Sequence, residues 1–256
     1  MTIRNVGGGD SLSIFERSWQ TYHLLVAHDL MQHHALGQAL EQRLIAWLPE
    51  REAAGLSSTL AMADLACGDL TTLAPLLRRL PLRELEAVDA AVGVLPQAEA
   101  RLGPVPYPCH WRAKDLLLWA ESGADHPSGP WDLITCLFGL HHLADADKWR
   151  FLELVPRQLA PGGRLLIGDL FRQPAEPRQQ FLERYWARVN SWTVLTQPSR
   201  RLVIDHMASS DYPAEGEQFA AMAESLGWQV RWLWHGPDQA EGLLELGRLG
   251  EQLSEV

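Results

Sequence analysis

Cysteine is scarce in this sequence, and long apolar runs and an excess of basic residues are missing. Each of these features excludes a class of protein. The 256 residues include three cysteines, Cys67, Cys109 and Cys136, without CxxC pairing or metal-ligand spacing. A disulfide framework is therefore not expected. The longest apolar runs, such as 133–140, are far shorter than the roughly 18 residues of a membrane span. Residues 1–10 are polar and glycine-rich, which argues against a secretory signal. Reduced thiols without such a signal predict a cytoplasmic protein.

The charge balance narrows the class of molecule that this protein is expected to bind. Lysine and arginine number 22 against 32 aspartates and glutamates, a formal net charge of −10. Basic residues occur as pairs, Arg78-Arg79 and Arg200-Arg201, and not as the stripe that a duplex or tRNA binder presents. The balance predicts a small-molecule partner, with nucleic acid and membrane disfavoured. A homodimer is left open.

Short apolar runs alternate with amphipathic stretches from about residue 60 onward. This alternation is typical of βαβ units and predicts a doubly wound α/β fold with a mostly parallel sheet. The strands are predicted at 60–66, 85–88, 108–112, 132–138, 164–169, 228–234 and 242–246.

Residues 1–55 are predicted to form an N-terminal helical cap on an α/β domain that spans 56–256. Apolar residues recur there on one helical face, at Leu40, Leu44, Trp47 and Leu48. Pro49 is expected to end that helix.

Residues 172–204 interrupt the alternation and are predicted to be a helical insertion. The stretch is rich in large side chains near helical spacing, at Phe181, Tyr185, Trp186, Val189 and Trp192. Such residues are commonly core packing, but they also line substrate pockets. Tyr185 and Trp186 are therefore candidate substrate-binding residues.

The strongest local signal is the hexapeptide Asp64-Leu65-Ala66-Cys67-Gly68-Asp69, which follows a predicted strand and precedes a leucine-periodic helix. Small residues at Ala66 and Gly68 let a ligand approach the backbone closely. The positive end of the following helix would favour an anionic group. The alternative is a tightly packed turn without a ligand.

Two further acids follow predicted strands. Asp89 lies about 20 residues past the glycine bend, where an acid can accept hydrogen bonds from ribose hydroxyls. Asp115, followed by Leu116, can hold the exocyclic amine of an adenine while the leucine covers the ring. Either acid could instead cap the helix that follows it.

These pieces resemble the class I S-adenosylmethionine-dependent methyltransferases. Residues 64–69 resemble the first motif of that family, Asp89 its ribose acid and Asp115 its adenine contact. Residues 131–143 resemble its fourth strand and the loop after it, and 159–167 resemble its proline-glycine-glycine turn and fifth strand. Residues 220–234 and 241–248 resemble its final helix and β-hairpin. Ala66 departs from the family, which usually has glycine there.

The resemblance implies a seven-stranded sheet in which only the last strand is antiparallel. It places S-adenosylmethionine, with S-adenosylhomocysteine as its product, across the carboxyl ends of the first and fourth strands. The implied cofactor-binding residues are Asp64, Ala66, Gly68, Asp69, Asp89, Ala90, Asp115, Leu116, Leu137 and Phe138. A nicotinamide dehydrogenase usually needs three glycines in this turn, and the chain has one.

Methyl transfer from a sulfonium needs mainly alignment, and sometimes a base for the acceptor proton. No metal ion is expected. The candidate bases are His142, His206 and His28. Tyr22, His141 and Asp169 are further candidates for contacting the substrate. The commoner role of histidines at such positions is to hold loops, and the N-terminal helix could be a polar surface helix.

The sequence therefore predicts an enzyme that methylates an oxygen, nitrogen or sulfur atom of a small metabolite. Two alternatives stay open, an RNA or protein methyltransferase and a non-catalytic module that binds S-adenosylmethionine.

Overall fold

A single mixed sheet with helices on both faces organises the chain. The computed structural model describes residues 19–122 and 129–249, without the side chains of residues 19 and 20. The strands are β1 Leu60–Leu65, β2 Leu82–Asp89, β3 Cys109–Ala113, β4 Trp131–Leu137, β5 Leu159–Arg172, β6 Ala214–Glu215, β7 Trp228–His235 and β8 Glu241–Arg248. The predicted doubly wound α/β fold is confirmed.

The strand order is β3-β2-β1-β4-β5-β8-β7. Strands β1 to β5 pair in parallel, whereas β8 runs antiparallel to both β5 and β7. All seven predicted strands are present, and the last is antiparallel as expected. The two-residue strand β6, which the sequence did not predict, pairs with the end of β5.

The described helices are α1 Trp19–Ala27, α2 His33–Ala53, α3 Ala74–Leu77, α4 Leu95–Leu102, α5 Leu116–Glu121, α6 Asp145–Leu154, α7 Arg178–Ser191, α8 Gln197–Ser210 and α9 Gly216–Ser225. Side chains of α2, α3 and α4 pack on one face of the sheet, and those of α5, α6 and α9 pack on the other. This double cover explains why β1 and β4 read as nearly continuous apolar runs. None of the described helices has the length and hydropathy needed to cross a bilayer.

The expectation that Pro49 ends its helix is wrong, because α2 continues through it to Ala53. Side-chain bonds hold the last turns on both sides of the proline. Arg43 donates to both carboxylate oxygens of Glu50 at 3.0 Å, and Arg51 donates to Asp132 at 2.7 Å. These charge-assisted bonds offset the one backbone hydrogen bond that proline removes.

Two helices, α7 and α8, lie between β5 and β6, where the sequence predicts a helical insertion. Their apolar side chains form a third core cluster together with Leu25 of α1 and Leu170 of β5. The aromatic residues Phe181, Tyr185 and Trp192 are all buried in this cluster. The cluster joins α1 to the inserted helices near the end of β5.

Candidate active site

The loops that follow β1 and β4 meet at the carboxyl edge of the sheet. Ala66, Gly68 and Phe138 all have positive φ, at 53°, 53° and 54°. A Cβ on Gly139 would lie 2.6 Å from the Cβ of Ala66, so the two loops touch. Left-handed backbone in a residue other than glycine costs roughly 1–2 kcal/mol and concentrates at functional sites. Glycine adopts such a conformation without this cost, so Ala66 is a position where glycine would be tolerated.

Asp89 stands beside this bend at the end of β2. Its Oδ2 accepts a hydrogen bond from the amide of Gly68 at 2.9 Å, and its Oδ1 accepts one from Ala91 at 2.8 Å. The two bonds fix the carboxylate at the edge of the site, while each oxygen keeps a second lone pair for a ligand hydroxyl. Burial raises the pKa of Asp89, opposed by those two amides. The acid thus caps the next turn and can still accept from a ribose. Ala90, beside it, is exposed.

Asp64 reaches the bend from inside β1. Thr135 donates to its Oδ1 at 2.5 Å, while its Oδ2 is buried without a hydrogen-bond partner. Burial raises the pKa of Asp64 to about 7, and the charge of Asp89 acts in the same direction. Ala66 and Gly68 of this bend are half-buried, and an unpaired buried oxygen beside them fits a polar group bound there.

Asp69 was also predicted to bind the cofactor, but its carboxylate oxygens accept hydrogen bonds from other residues of this chain. Thr71 donates to both of its oxygens, and Arg101 donates to its Oδ2 at 2.6 Å. The helix expected directly after the bend is only the four-residue α3, which begins at Ala74. Its dipole therefore adds little to the site.

Asp115 and Leu116 occupy the positions expected for an adenine contact. Asp115 is the N-cap of α5, and its Oδ1 accepts from Leu117 and Leu118. Both bonds end on one oxygen, so the cap leaves Oδ2 for a ligand amine. Leu137 is half-buried at the end of β4.

The N-terminal helices cover the bend. The Tyr22 hydroxyl would lie 3.5 Å from a Cβ on Gly68, and burial together with Asp69 and Asp89 raises the pKa of Tyr22. The ring of His33 packs on Phe138 with centroids 4.5 Å apart. His28, a predicted base, is exposed just after α1 and does not line the cavity described below.

A cavity of about 90 Å³ lies next to Phe138. Its walls are mostly aliphatic and aromatic, and its polar groups are largely imidazoles. The lining residues are Thr21, Tyr22, Leu25, Met31, His33, Phe138, His141, His142, Leu170, Tyr185, Trp192, Leu202, Val203, His206, Met207 and Asp211. Tyr185, predicted to contact substrate, is among them; Trp186 is half-buried and is not.

The carboxylate of Asp211 lies at one end of the cavity, close to three histidines. Its Oδ1 lies 3.3 Å from His142 Nδ1, 3.5 Å from His206 Nε2 and 3.8 Å from His141 Nε2. Burial acts to raise the pKa of Asp211, but the imidazoles, His141 first, hold it well below its usual range. Burial lowers the pKa of His206 to about 4, so its imidazole is neutral at pH 7.

Asp169 lies behind the wall at this end of the cavity, where it contacts His141. Its Oδ2 accepts from the amides of Leu140 and His141 at 2.7 and 3.1 Å, and its Oδ1 lies 2.5 Å from His141 Nδ1. Burial acts to lower the pKa of His141, but Asp169 and Asp211 outweigh it and raise the pKa. Asp169 therefore orients His141 and does not itself line the cavity.

Among the titratable residues that line the cavity, Asp211 and His33 were not predicted as site residues. Asp211 follows the predicted base His206 in the chain, but its place in the sequence does not indicate which residues it contacts. His33 is a buried histidine at the start of α2, and burial lowers its pKa to about 4.

Comparison with known proteins agrees with this geometry. Residues 63–165 match the family model of a methyltransferase domain. This stretch is therefore similar to a methyltransferase domain, in line with the resemblance seen in the sequence. The matched range includes both loops of the site, and S-adenosylmethionine, predicted from the sequence, is the methyl donor of this family.

Individual relatives of this methyltransferase domain are distant. A ubiquinone/menaquinone biosynthesis C-methyltransferase of Psychromonas ingrahamii is 36% identical over 89 residues, which are 35% of this chain and 32% of that enzyme. The match thus spans about a third of that relative.

Two solved structures share the fold. Magnesium protoporphyrin IX methyltransferase from Synechocystis PCC 6803 with bound S-adenosylmethionine has a TM-score of 0.59 at 12% identity, covering 97% of this chain and 100% of that one. Human N-acetylserotonin methyltransferase in complex with S-adenosylmethionine has a TM-score of 0.57 at 14% identity. That match covers 95% of this chain and 60% of the human enzyme's chain.

Proposed function

We propose that this chain transfers a methyl group from S-adenosylmethionine to an oxygen, nitrogen or sulfur atom of a small, largely apolar molecule. The observation that carries the proposal is the cavity beside Phe138, because it adjoins the cofactor loops and has apolar walls with a polar end. Enclosed, mostly apolar cavities with a few convergent polar groups are typical of small-molecule sites.

The cofactor side of the proposal rests on three groups. S-adenosylmethionine, when bound, supplies a methyl group that is already activated on a sulfonium. Asp89 is proposed to accept hydrogen bonds from the ribose hydroxyls and Asp115 to accept from the adenine amine. The bend at Gly68 presents backbone without a side chain, which permits close approach.

The acceptor side is formed by the inserted helices and the N-terminal cap. Trp192, Val203 and Met207 supply apolar surface, and the imidazoles of His142 and His206 stand at the polar end. Holding an acceptor atom against the methyl group is itself a large part of catalysis, because alignment removes much of the entropic barrier. The net charge of −10 also favours a small molecule over a nucleic acid.

Filling the cavity tests this proposal. Val203 of α8 is half-buried and lines the cavity, so Val203→Trp should exclude the acceptor. We expect formation of S-adenosylhomocysteine, followed by mass spectrometry across a panel of apolar alcohols, phenols, amines and thiols, to fall at least tenfold. Affinity for S-adenosylhomocysteine should stay within about twofold of the wild-type value, because the cofactor loops are unchanged.

Val194→Trp is the matched control, because Val194 is 43% exposed and lies outside the cavity. It should turn over like the wild type. Turnover by Val203→Trp at the wild-type rate would mean that the acceptor binds elsewhere.

A further inference from the structure

The polar end of the cavity brings three imidazole nitrogens around one carboxylate oxygen. Asp211 Oδ1 is buried, and none of its three contacts has hydrogen-bond geometry. A buried carboxylate oxygen without a hydrogen bond of good geometry is costly, so a positively charged partner bound between this oxygen and the imidazoles would stabilise the cluster. The cavity gives such a partner a way in.

The distances match those between ligands of one metal ion. Ligand atoms about 2.1 Å from a tetrahedral ion lie about 3.4 Å from one another. Asp211 Oδ1 stands 3.3 Å from His142 Nδ1 and 3.8 Å from His141 Nε2. His141, His142 and Asp211 each offer one atom, and these atoms all lie within 4.8 Å of one another.

His141 is already oriented as a metal-bound histidine would be. Its Nδ1 faces Asp169 Oδ1 at 2.5 Å, which turns Nε2 toward Asp211. Histidines that bind metal usually donate their other nitrogen to a carboxylate in this way, which fixes the tautomer and the ring orientation. Two backbone amides hold Asp169 in turn.

The local charge also favours a cation. Two buried carboxylates, those of Asp169 and Asp211, contact the imidazoles of the cluster. The nearby ammonium of Lys148 is occupied, since it donates to the carbonyls of Leu143 and Tyr212 and to Asp145.

We propose that His141, His142 and Asp211 hold a divalent first-row transition-metal ion at the polar end of the cavity. Two imidazoles and one carboxylate suit zinc, iron or cobalt, whereas magnesium and calcium require oxygen ligands. Three protein ligands leave a coordination position toward the cavity, where His206 or the thiol, hydroxyl or carboxylate of a bound molecule completes the set. A metal ion was not expected from the sequence, because methyl transfer does not require one.

Cobalt titration tests the site directly. Metal-free protein titrated with Co²⁺ should develop saturable visible absorption at one ion per chain, displaced by Zn²⁺. Asp211→Asn and His142→Gln should abolish it, and Asp169→Asn should weaken Co²⁺ binding by about 10–100-fold. His110→Gln is the matched control, because His110 lies in the amino-terminal half of edge strand β3, and it should bind Co²⁺ like the wild type.

A second measurement needs no variant. X-ray absorption of the zinc-loaded wild-type protein should show nitrogen or oxygen ligands at about 2.0–2.1 Å with imidazole scattering. A shell of sulfur ligands at about 2.3 Å, or no saturable Co²⁺ absorption in the wild type, would overturn the proposal. Calorimetry with S-adenosylhomocysteine on the same samples separates this result from the proposed methyl transfer, because the cofactor residues are not among the metal ligands.

Discussion

At the scale of single residues, the site is marked by groups held in unfavourable states. Ala66 and Phe138 adopt left-handed backbone, and Asp64 keeps a buried oxygen without a partner. Each costs stability that the surrounding packing must offset. All three lie where the loops after β1 and β4 meet, which is where the cofactor is proposed to bind.

The carboxyl of Asp64 predicts a specific pH dependence of stability. Its pKa is about 7 in the folded chain, because of burial, and about 4 when unfolded. The folded state therefore holds the proton more tightly, and the stabilisation present in acid is lost as pH rises from about 4 to about 7. Relative to Asp64→Asn, the wild type should lose about 2 kcal/mol of unfolding free energy between pH 5 and pH 8.

Urea unfolding of both proteins at several pH values measures this difference. Glu224→Gln, at an exposed acid of α9, is the control and should track the wild type at every pH. A constant difference between wild type and Asp64→Asn across the range would show that Asp64 titrates normally.

At the scale of elements, α7 fastens the N-terminal cap to the sheet. Arg188 donates to Glu241 of β8 and to the carbonyl of Leu30, each at 2.7 Å, and Tyr185 donates to the same carboxylate at 2.9 Å. Glu241 is fully buried, and burial raises its pKa. The arrangement keeps α1 over the cavity.

Breaking this bridge should be costly. Arg188→Met leaves Glu241 buried without its cation, and we expect a loss of about 3 kcal/mol of unfolding free energy in urea. The matched variant Arg201→Met breaks an exposed i,i+4 pair with Asp205 and should cost less than about 0.5 kcal/mol. Equal effects of the two substitutions would contradict the role given to Arg188.

The elements themselves were largely predictable, and their contacts were not. Strands β1 and β4 follow from apolar runs bounded by turns, and the bend at Gly68 follows from its small residues. The helix end at Pro49 was predicted wrongly because a hydrogen bond that holds the helix beyond it joins Arg51 to Asp132. These two residues are far apart in the sequence.

The histidine cluster could not have been predicted for a related reason. Asp211 meets His141 and His142 because α8 ends beside the loop after β4, where the amide of Tyr212 donates to the carbonyl of His141 at 2.6 Å. No periodic pattern in the sequence indicates that Asp211 and the two histidines lie close together.

At the scale of the whole molecule, the parallel strands place their carboxyl ends at one edge of the sheet. The strand order reverses beside β1, where β2 and β4 lie on opposite sides, and such switch points are where open α/β sheets bind ligands. The inserted helices and the N-terminal helices then enclose a second space over the same edge. The chain thus places the proposed cofactor site next to the proposed acceptor cavity.

Calorimetric titration of S-adenosylhomocysteine is the most direct test of this account. The wild type should bind one equivalent with a saturable isotherm. Asp89→Ala, checked for a cooperative melt, should bind at least tenfold more weakly, about 1.4 kcal/mol. Glu84→Ala, at a half-buried acid near the start of the same strand, should bind like the wild type. A wild-type chain that fails to bind, or an Asp89→Ala variant that binds equally tightly, would contradict the assignment of this cleft.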